Sequence, residues 1–152
     1  MQQLKILNNK EIKDIYKIIE KQWEAKIKLD CGFLSNNKNR IFIISKELSR
    51  IEISRLKLNS IGMYLCETDR QGMRLSIEGS QIVGPAAKRN TIELSDEEAR
   101  KWLKGEDFEK ECKGCNGFII IKHGKDFMGT GKYSNGKILN YVGKSRRISS
   151  QS

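Results

Sequence analysis

The dipeptide Asn135-Gly136 constrains this chain more than any other feature. It sits in "FMGTGKYSNGKILNYVG" (127–143). Both residues accept a positive φ, and Asn-Gly between alternating segments is the strongest short hairpin signal. A two-residue turn there pairs Ser134 with Lys137 and Tyr133 with Ile138. Carried further, the same register sets Gly131 opposite Asn140 and Gly129 opposite Val142. Side chains in a strand alternate with period two. Gly129 and Gly131 are therefore expected on one face, with Met128, Thr130 and Lys132 on the other. Glycine weakens a strand and marks a bend or the close approach of another backbone. Gly129, Gly131 and Gly136 are accordingly read as structural. The approaching backbone is either protein, at a barrel corner, or RNA.

Gly131-Lys132 also invites a comparison with nucleotide loops, which fails. A phosphate loop needs Gly, four residues, then Gly-Lys-Ser/Thr leading into a helix. Here Asp126 stands at the first glycine position, Tyr133 at the hydroxyl position, and a hairpin turn follows. A dinucleotide fingerprint fails as well, because Ser134 takes the place of the last glycine and no βαβ unit surrounds it.

The rest of the chain reads as a mixture of helices and strands. Asn8 and Glu11 have the spacing of a capping box, and Ile12, Ile15, Tyr16, Ile19 and Trp23 recur at helical spacing. A helix is expected over 9–25. "IFIIS" (41–45), "IGMYLCE" (61–67) and "MRLSIEG" (73–79) read as strands. "SDEEARKWLKG" has both ends of a helix written in. Ser95 and Glu98 form a second capping box, flanked by Leu94 and Ala99, while Gly105 fits a left-handed cap. Ala99, Trp102 and Leu103 make its buried face. "TIEL", "GFIIIK" (117–122), 127–133 and 137–143 are further strands. The composition change at Pro85 suggests two domains, 1–84 and 85–150.

Charge narrows the function. The net charge is +10. Residues 91–111 hold eight acids against four bases, whereas 112–152 hold eight bases and one acid, Asp126. The acids of the first segment suit a helix N-terminus, where they meet the positive end of the dipole. The bases of the second point to a polyanion such as nucleic acid. Lys122, Lys125, Lys132, Lys137, Lys144, Arg146 and Arg147 are spread over a meander and a tail. Tyr133 and Tyr141 interleave with them and can stack on unpaired bases. Lys88 and Arg89 extend the set.

Other chemistry is weakly supported. Cys112-x-x-Cys115 is half of a zinc site, and no second pair follows. His123 is the only histidine. Free thiols are expected at Cys31, Cys66, Cys112 and Cys115, with no metal and no cofactor. His123, in a turn, is expected to face solvent or RNA. No apolar run approaches the ~18 residues of a membrane span. "MQQLKILNNK" lacks the apolar core of a signal peptide, so a cytoplasmic location is expected.

Two longer stretches carry a resemblance. "IELSDEEARKWLKGEDFE" followed by "GFIIIKHGKDFMGTGKYSNGKILNYVGKSRR" resembles a PUA domain. The likeness is to the PUA region of NOL/NOP/Sun-type RNA cytosine-5 methyltransferases. "RIFIIS" and "SIGMYLCETDRQGMRLSIEGSQIVGPAAK" are similar to the pre-PUA domain of Nip-type ribosome-biogenesis factors. The resemblance implies an α+β protein, an N-terminal pre-PUA α/β domain followed by a C-terminal PUA-like β-barrel. It places an RNA surface on Lys132, Lys144, Arg146, Arg147, Lys88 and Arg89. No part of the chain resembles the methyltransferases' catalytic domain. The expected function is non-catalytic binding of structured rRNA or tRNA, as an accessory in ribosome biogenesis or RNA modification. The expected partners are that RNA and an RNA methyltransferase or ribosome-assembly proteins. A protein-interaction adaptor with an incidental basic surface is the first alternative; an RNA-modifying enzyme is the second.

Overall fold

The computed structural model describes residues 4–46, 62–143 and 146–147. The expected chain segment at Lys144 and the residues beyond Arg147 lie outside them. Ten strands and three helices are seen among the described residues. The fold is α+β, with two five-stranded sheets.

The first sheet is antiparallel throughout, in the order β1 (Lys5–Ile6), β2 (Gly32–Ser35), β3 (Arg40–Ile44), β4 (Met63–Asp69), β5 (Gly72–Leu75). Helix α1 (Asn9–Trp23) packs on it through Ile15, Ile19 and Trp23. The Asn8–Glu11 capping box starts this helix: Glu11 N–H donates to Asn8 Oδ1 at 2.9 Å and Asn8 N–H to Glu11 Oε1 at 3.1 Å.

The stretch 73–79 departs from expectation. Its strand stops at Leu75 and Ile77 opens helix α2 (Ile77–Val83). Ser76 causes the switch. Its backbone is extended and its hydroxyl accepts the Gly79 N–H at 2.8 Å, as an N-cap does. The same hydroxyl donates to Tyr64 O at 2.6 Å, which ties the cap to β4. Alternation of Met73, Leu75 and Ile77 continued by chance into the helix. A 3-10 turn over Gly84–Ala86 follows.

The second sheet has the order β6 (Thr91–Glu93), β8 (Gly117–His123), β9 (Asp126–Ser134), β10 (Lys137–Leu139), β7 (Phe108–Glu109). Strand β6 runs parallel to β8 and the other pairs are antiparallel. The sheet curls as a half-barrel. Helix α3 (Asp96–Leu103) carries the expected Ser95–Glu98 capping box, and Gly105 lies at φ +87. Its Trp102 is fully buried, and the indole N–H donates to Met128 O at 2.8 Å.

Strand β8 joins the two halves. Its run of apolar residues has no polar face because both faces are covered. Phe118 and Ile120 enter the core built by Trp23, Leu65 and Val83, whereas Ile119 and Ile121 enter the core around Trp102 and Ile138. Each of these four side chains is at most 2% exposed, a burial worth roughly 1.5–3 kcal/mol apiece. The Trp23 indole N–H donates to Phe118 O at 3.1 Å, across the boundary expected near residue 85. Buried Asn90 adds to this seam, donating to Gln22 O and accepting the Asn116 N–H. Among the described residues, no helix is long and apolar enough to cross a membrane.

The hairpin register holds at its turn and breaks farther on. Ser134 pairs with Lys137, Tyr133 with Ile138 and Lys132 with Leu139. Asn135 and Gly136 both have positive φ, 49° and 79°. Beyond Leu139 the strand ends, although it was expected to reach 143. Asn140 ends it by turning its amide onto Trp102 O and Glu106 O, at 2.8 and 3.1 Å.

The expected common face of Gly129 and Gly131 is also corrected. Ile120 pairs with Thr130 and Lys122 with Phe127, so β9 holds one extra residue there, a bulge. Gly129 lies in it at φ +97. A Cβ on Gly129 would meet Ile77 of α2 at 3.4 Å, whereas one on Gly131 would meet Ile138, Leu139 O and Trp102 at 2.9–3.0 Å. The two glycines therefore point to opposite sides, and both are packed against protein. The approaching backbone at Gly129 is α2, whose buried Ser80 hydroxyl accepts the Gly129 N–H at 2.8 Å.

Candidate RNA interface

The expected basic set is divided by the fold. Lys122 and Lys125 lie at the β8–β9 turn, and Lys122 Nζ rests 5.6 Å from the Phe127 ring centre. Lys137 is exposed at the β9–β10 turn. The two turns are at opposite ends of nine-residue β9, about 26 Å apart at ~3.3 Å per residue. Lys132 donates to Gln71 Oε1 at 2.8 Å, beside the β4–β5 turn. Lys88 is exposed, while the Arg89 guanidinium donates to Lys21 O and Glu20 O and so caps the C-terminal end of α1. Arg147 donates to Val142 O at 2.9 Å and lies over Gly105. Tyr133 turns inward, its hydroxyl accepting the Cys112 N–H at 3.4 Å.

Two members of the set, Tyr141 and Arg146, instead meet residues from the first sheet. They line a groove of about 210 Å³ between the sheets, together with Arg40, Tyr64, Arg74 and the start of α2. Ile77, Met128 and Val142 give it an apolar lining. The Arg74 guanidinium lies 4.8 Å above the Tyr141 ring centre, and that ring stands edge-on to Phe118 at 5.5 Å. Arg40 lies 5.4 Å from the Tyr64 ring centre. Both distances suit cation–π attraction. Arg74 is paired with Glu67, and Arg146 with Glu78 at 2.8 Å. Among the described residues Arg40 has no carboxylate partner. Burial, helped by the Glu67 charge, pushes the Tyr64 phenol above its ordinary pKa, so it stays neutral.

Arg40, Tyr64 and Arg74 were not read from the sequence as site residues. A local signal did exist. Arg74, Glu67 and Arg40 are cross-strand neighbours in register. Extending the "TDRQG" turn into a ladder finds the ion pair. The approach of Tyr141 from the other sheet leaves no local mark.

The cysteines also differ from expectation. Cys112 and Cys115 form a disulfide, their Cα atoms 5.4 Å apart across the turn. The turn, closed by Cys115 N–H to Cys112 O at 3.0 Å, brings the two side chains to one side. Cys31 and Cys66 keep free thiols, and burial pushes the Cys66 pKa up to about 12. His123 Nε2 lies 2.8 Å from Asp96 Oδ1 at the start of α3. Among the described residues no group of three His, Cys, Asp or Glu side chains is placed to hold a metal ion.

Comparison with known proteins agrees with the fold of the second half. Residues 89–148 match the family described as the methyltransferase RsmF PUA domain. A ribosomal RNA small subunit methyltransferase F of Aeromonas hydrophila is 26% identical over 109 residues, covering 72% of this chain and 23% of that protein. The one of Vibrio campbellii is 25% identical over 138 residues, 88% of this chain and 28% of that protein. The one of Aliivibrio fischeri is 26% identical over 133 residues. The chain thus spans about a quarter of the length of these relatives. The longer alignments extend well beyond 89–148 into the first sheet. Over residues 89–148 the chain carries a PUA domain related to that of the Sun-type RNA cytosine-5 methyltransferases.

Proposed function

We propose that this chain is a non-catalytic RNA-binding protein that takes structured rRNA or tRNA and assists RNA modification or ribosome assembly. The observation that carries the reading is the groove, where Arg40, Arg74 and Arg146 converge with Tyr64 and Tyr141. Arginine forks and exposed aromatic rings are the side chains that hold phosphates and unpaired bases. Its chemistry agrees with the relatives, which are ribosomal RNA small subunit methyltransferases.

The first sheet acts as a pre-PUA domain in this reading. It supplies half of the groove and the α1 surface for a protein partner, an RNA methyltransferase or an assembly factor. The exposed lysines Lys88, Lys125 and Lys137, with Lys144, add electrostatic attraction at longer range. Binding rRNA fragments and tRNA at increasing salt tests the proposal. The logarithm of affinity falls by ~0.7–0.9 per contacted phosphate for each unit of log salt. A steep slope is expected. No detectable binding at low salt would refute the function.

A further inference from the structure

We infer that the groove between the two sheets receives a single unpaired nucleotide of the bound RNA, its base on the Tyr141–Arg74 platform and its phosphate at Arg40. This rests on the RNA-binding reading and says what the groove selects.

Size comes first. About 210 Å³ is below the roughly 300–1,000 Å³ of ordinary small-molecule sites, so one ring system fits and a folded helix does not. The lining suits a base: Ile77, Met128 and the Tyr141 ring give it an apolar wall. Phe118 holds the Tyr141 ring edge-on, so the platform is ordered before any ligand arrives. Tyr141 is nevertheless 37% exposed, which leaves the ring available.

Charge comes second. Among the described residues three arginines line the groove, and Glu67 and Glu78 neutralise two of them. One positive charge remains, and the geometry assigns it to Arg40, which has no acidic partner among the described residues. That balance fits one phosphodiester and not a tract of backbone, because a second phosphate would meet Glu78. In a paired A-form stem the bases are stacked and their faces are closed to protein. A base that can leave the stack, at a bulge or loop, is what the groove accepts.

The test compares two short RNA hairpins, identical except that one has a single-nucleotide bulge. Stacking of one base on an aromatic side chain corresponds to about 5- to 150-fold in affinity. The bulged hairpin should bind at least about fivefold more tightly than the paired one. Tyr141→Ala should abolish that preference, Tyr141→Phe should keep it, and Arg40→Ala should lower the salt slope by about one phosphate. Arg40 is exposed, so this variant is expected to fold; the melting curve of each variant confirms it. Equal binding of the two hairpins by the wild-type protein overturns the inference and leaves the RNA-binding function standing. Failure of both hairpins, and of rRNA and tRNA, at low salt removes both.

Discussion

Gly131→Ala is the sharpest test of the packing argument. The added methyl would sit 2.9 Å from Ile138 Cγ2, 2.9 Å from Leu139 O and 3.0 Å from Trp102 Cη2. None of the three can yield cheaply. Leu139 O belongs to the backbone of the neighbouring β10. Ile138 is fully buried, and Trp102 is held by its hydrogen bond to Met128 O. Overpacking of this kind costs about 1–3 kcal/mol. Against it stands the gain from removing a glycine inside a strand, about 0.5–1 kcal/mol. With no neighbour able to yield, the upper part of the overpacking range, about 2–3 kcal/mol, applies, and the net loss is about 1–2.5 kcal/mol. For 152 residues that corresponds to roughly 3–8 °C in Tm, at ~2.1 cal/mol/K of unfolding entropy per residue. Urea unfolding followed by tryptophan fluorescence reads it directly, because Trp23 and Trp102 are both fully buried. Gly143→Ala is the control: among the described residues nothing lies within 4 Å of its added methyl, so stability should change by less than about 0.5 kcal/mol. A Gly131→Ala protein as stable as the wild type would show that close packing is not why glycine stands there.

Further outcomes follow from the same structure. Ser95→Ala removes the cap of α3 and should cost about 0.5–2 kcal/mol in the same urea assay. Burial alone would raise the Glu98 pKa, but its bonds to Lys110 and the Ser95 N–H hold it below 4.5. A carboxylate depressed in the folded state stabilises above its unfolded pKa and loses that contribution as pH falls through the folded value. The stability gap between wild type and Glu98→Gln should therefore be full at pH 7 and shrink below about pH 4.5. Thiol titration checks the cysteines: two thiols, Cys31 and Cys66, should react in the unfolded protein, and all four after reduction. Cys66 should stay unreactive until unfolding. A fragment beginning at residue 89 would expose Phe118 and Ile120, so it should melt at lower temperature than the whole chain and bind a hydrophobic dye.

Several elements were legible in the residues because their causes are local. Asn135-Gly136 sets the hairpin turn through two positive-φ residues, and the ladder beside it needs nothing more distant. Ser95, Glu98 and Gly105 mark both ends of α3 through contacts spanning a few residues. Asn8 and Glu11 mark the start of α1 in the same way.

The tertiary structure decided what those local rules leave open. Period-two alternation could not tell that Ser76 would cap a helix, because its hydroxyl is oriented by Tyr64 O on β4. Nor could it reveal the bulge at Gly129, which α2 draws toward itself through Ser80. The basic residues were visible in the sequence as a class, yet only packing sorted them. It set Arg89 on the end of α1, Arg147 over Gly105, and Tyr141 against Arg74 in the groove. Caps and turns close over three or four residues, so sequence determines them by itself. In the groove between the sheets β4 sets Arg40 and Arg74 on either side of Glu67, and the shared wall of β8, buried on both faces, brings Tyr141 to them through Phe118.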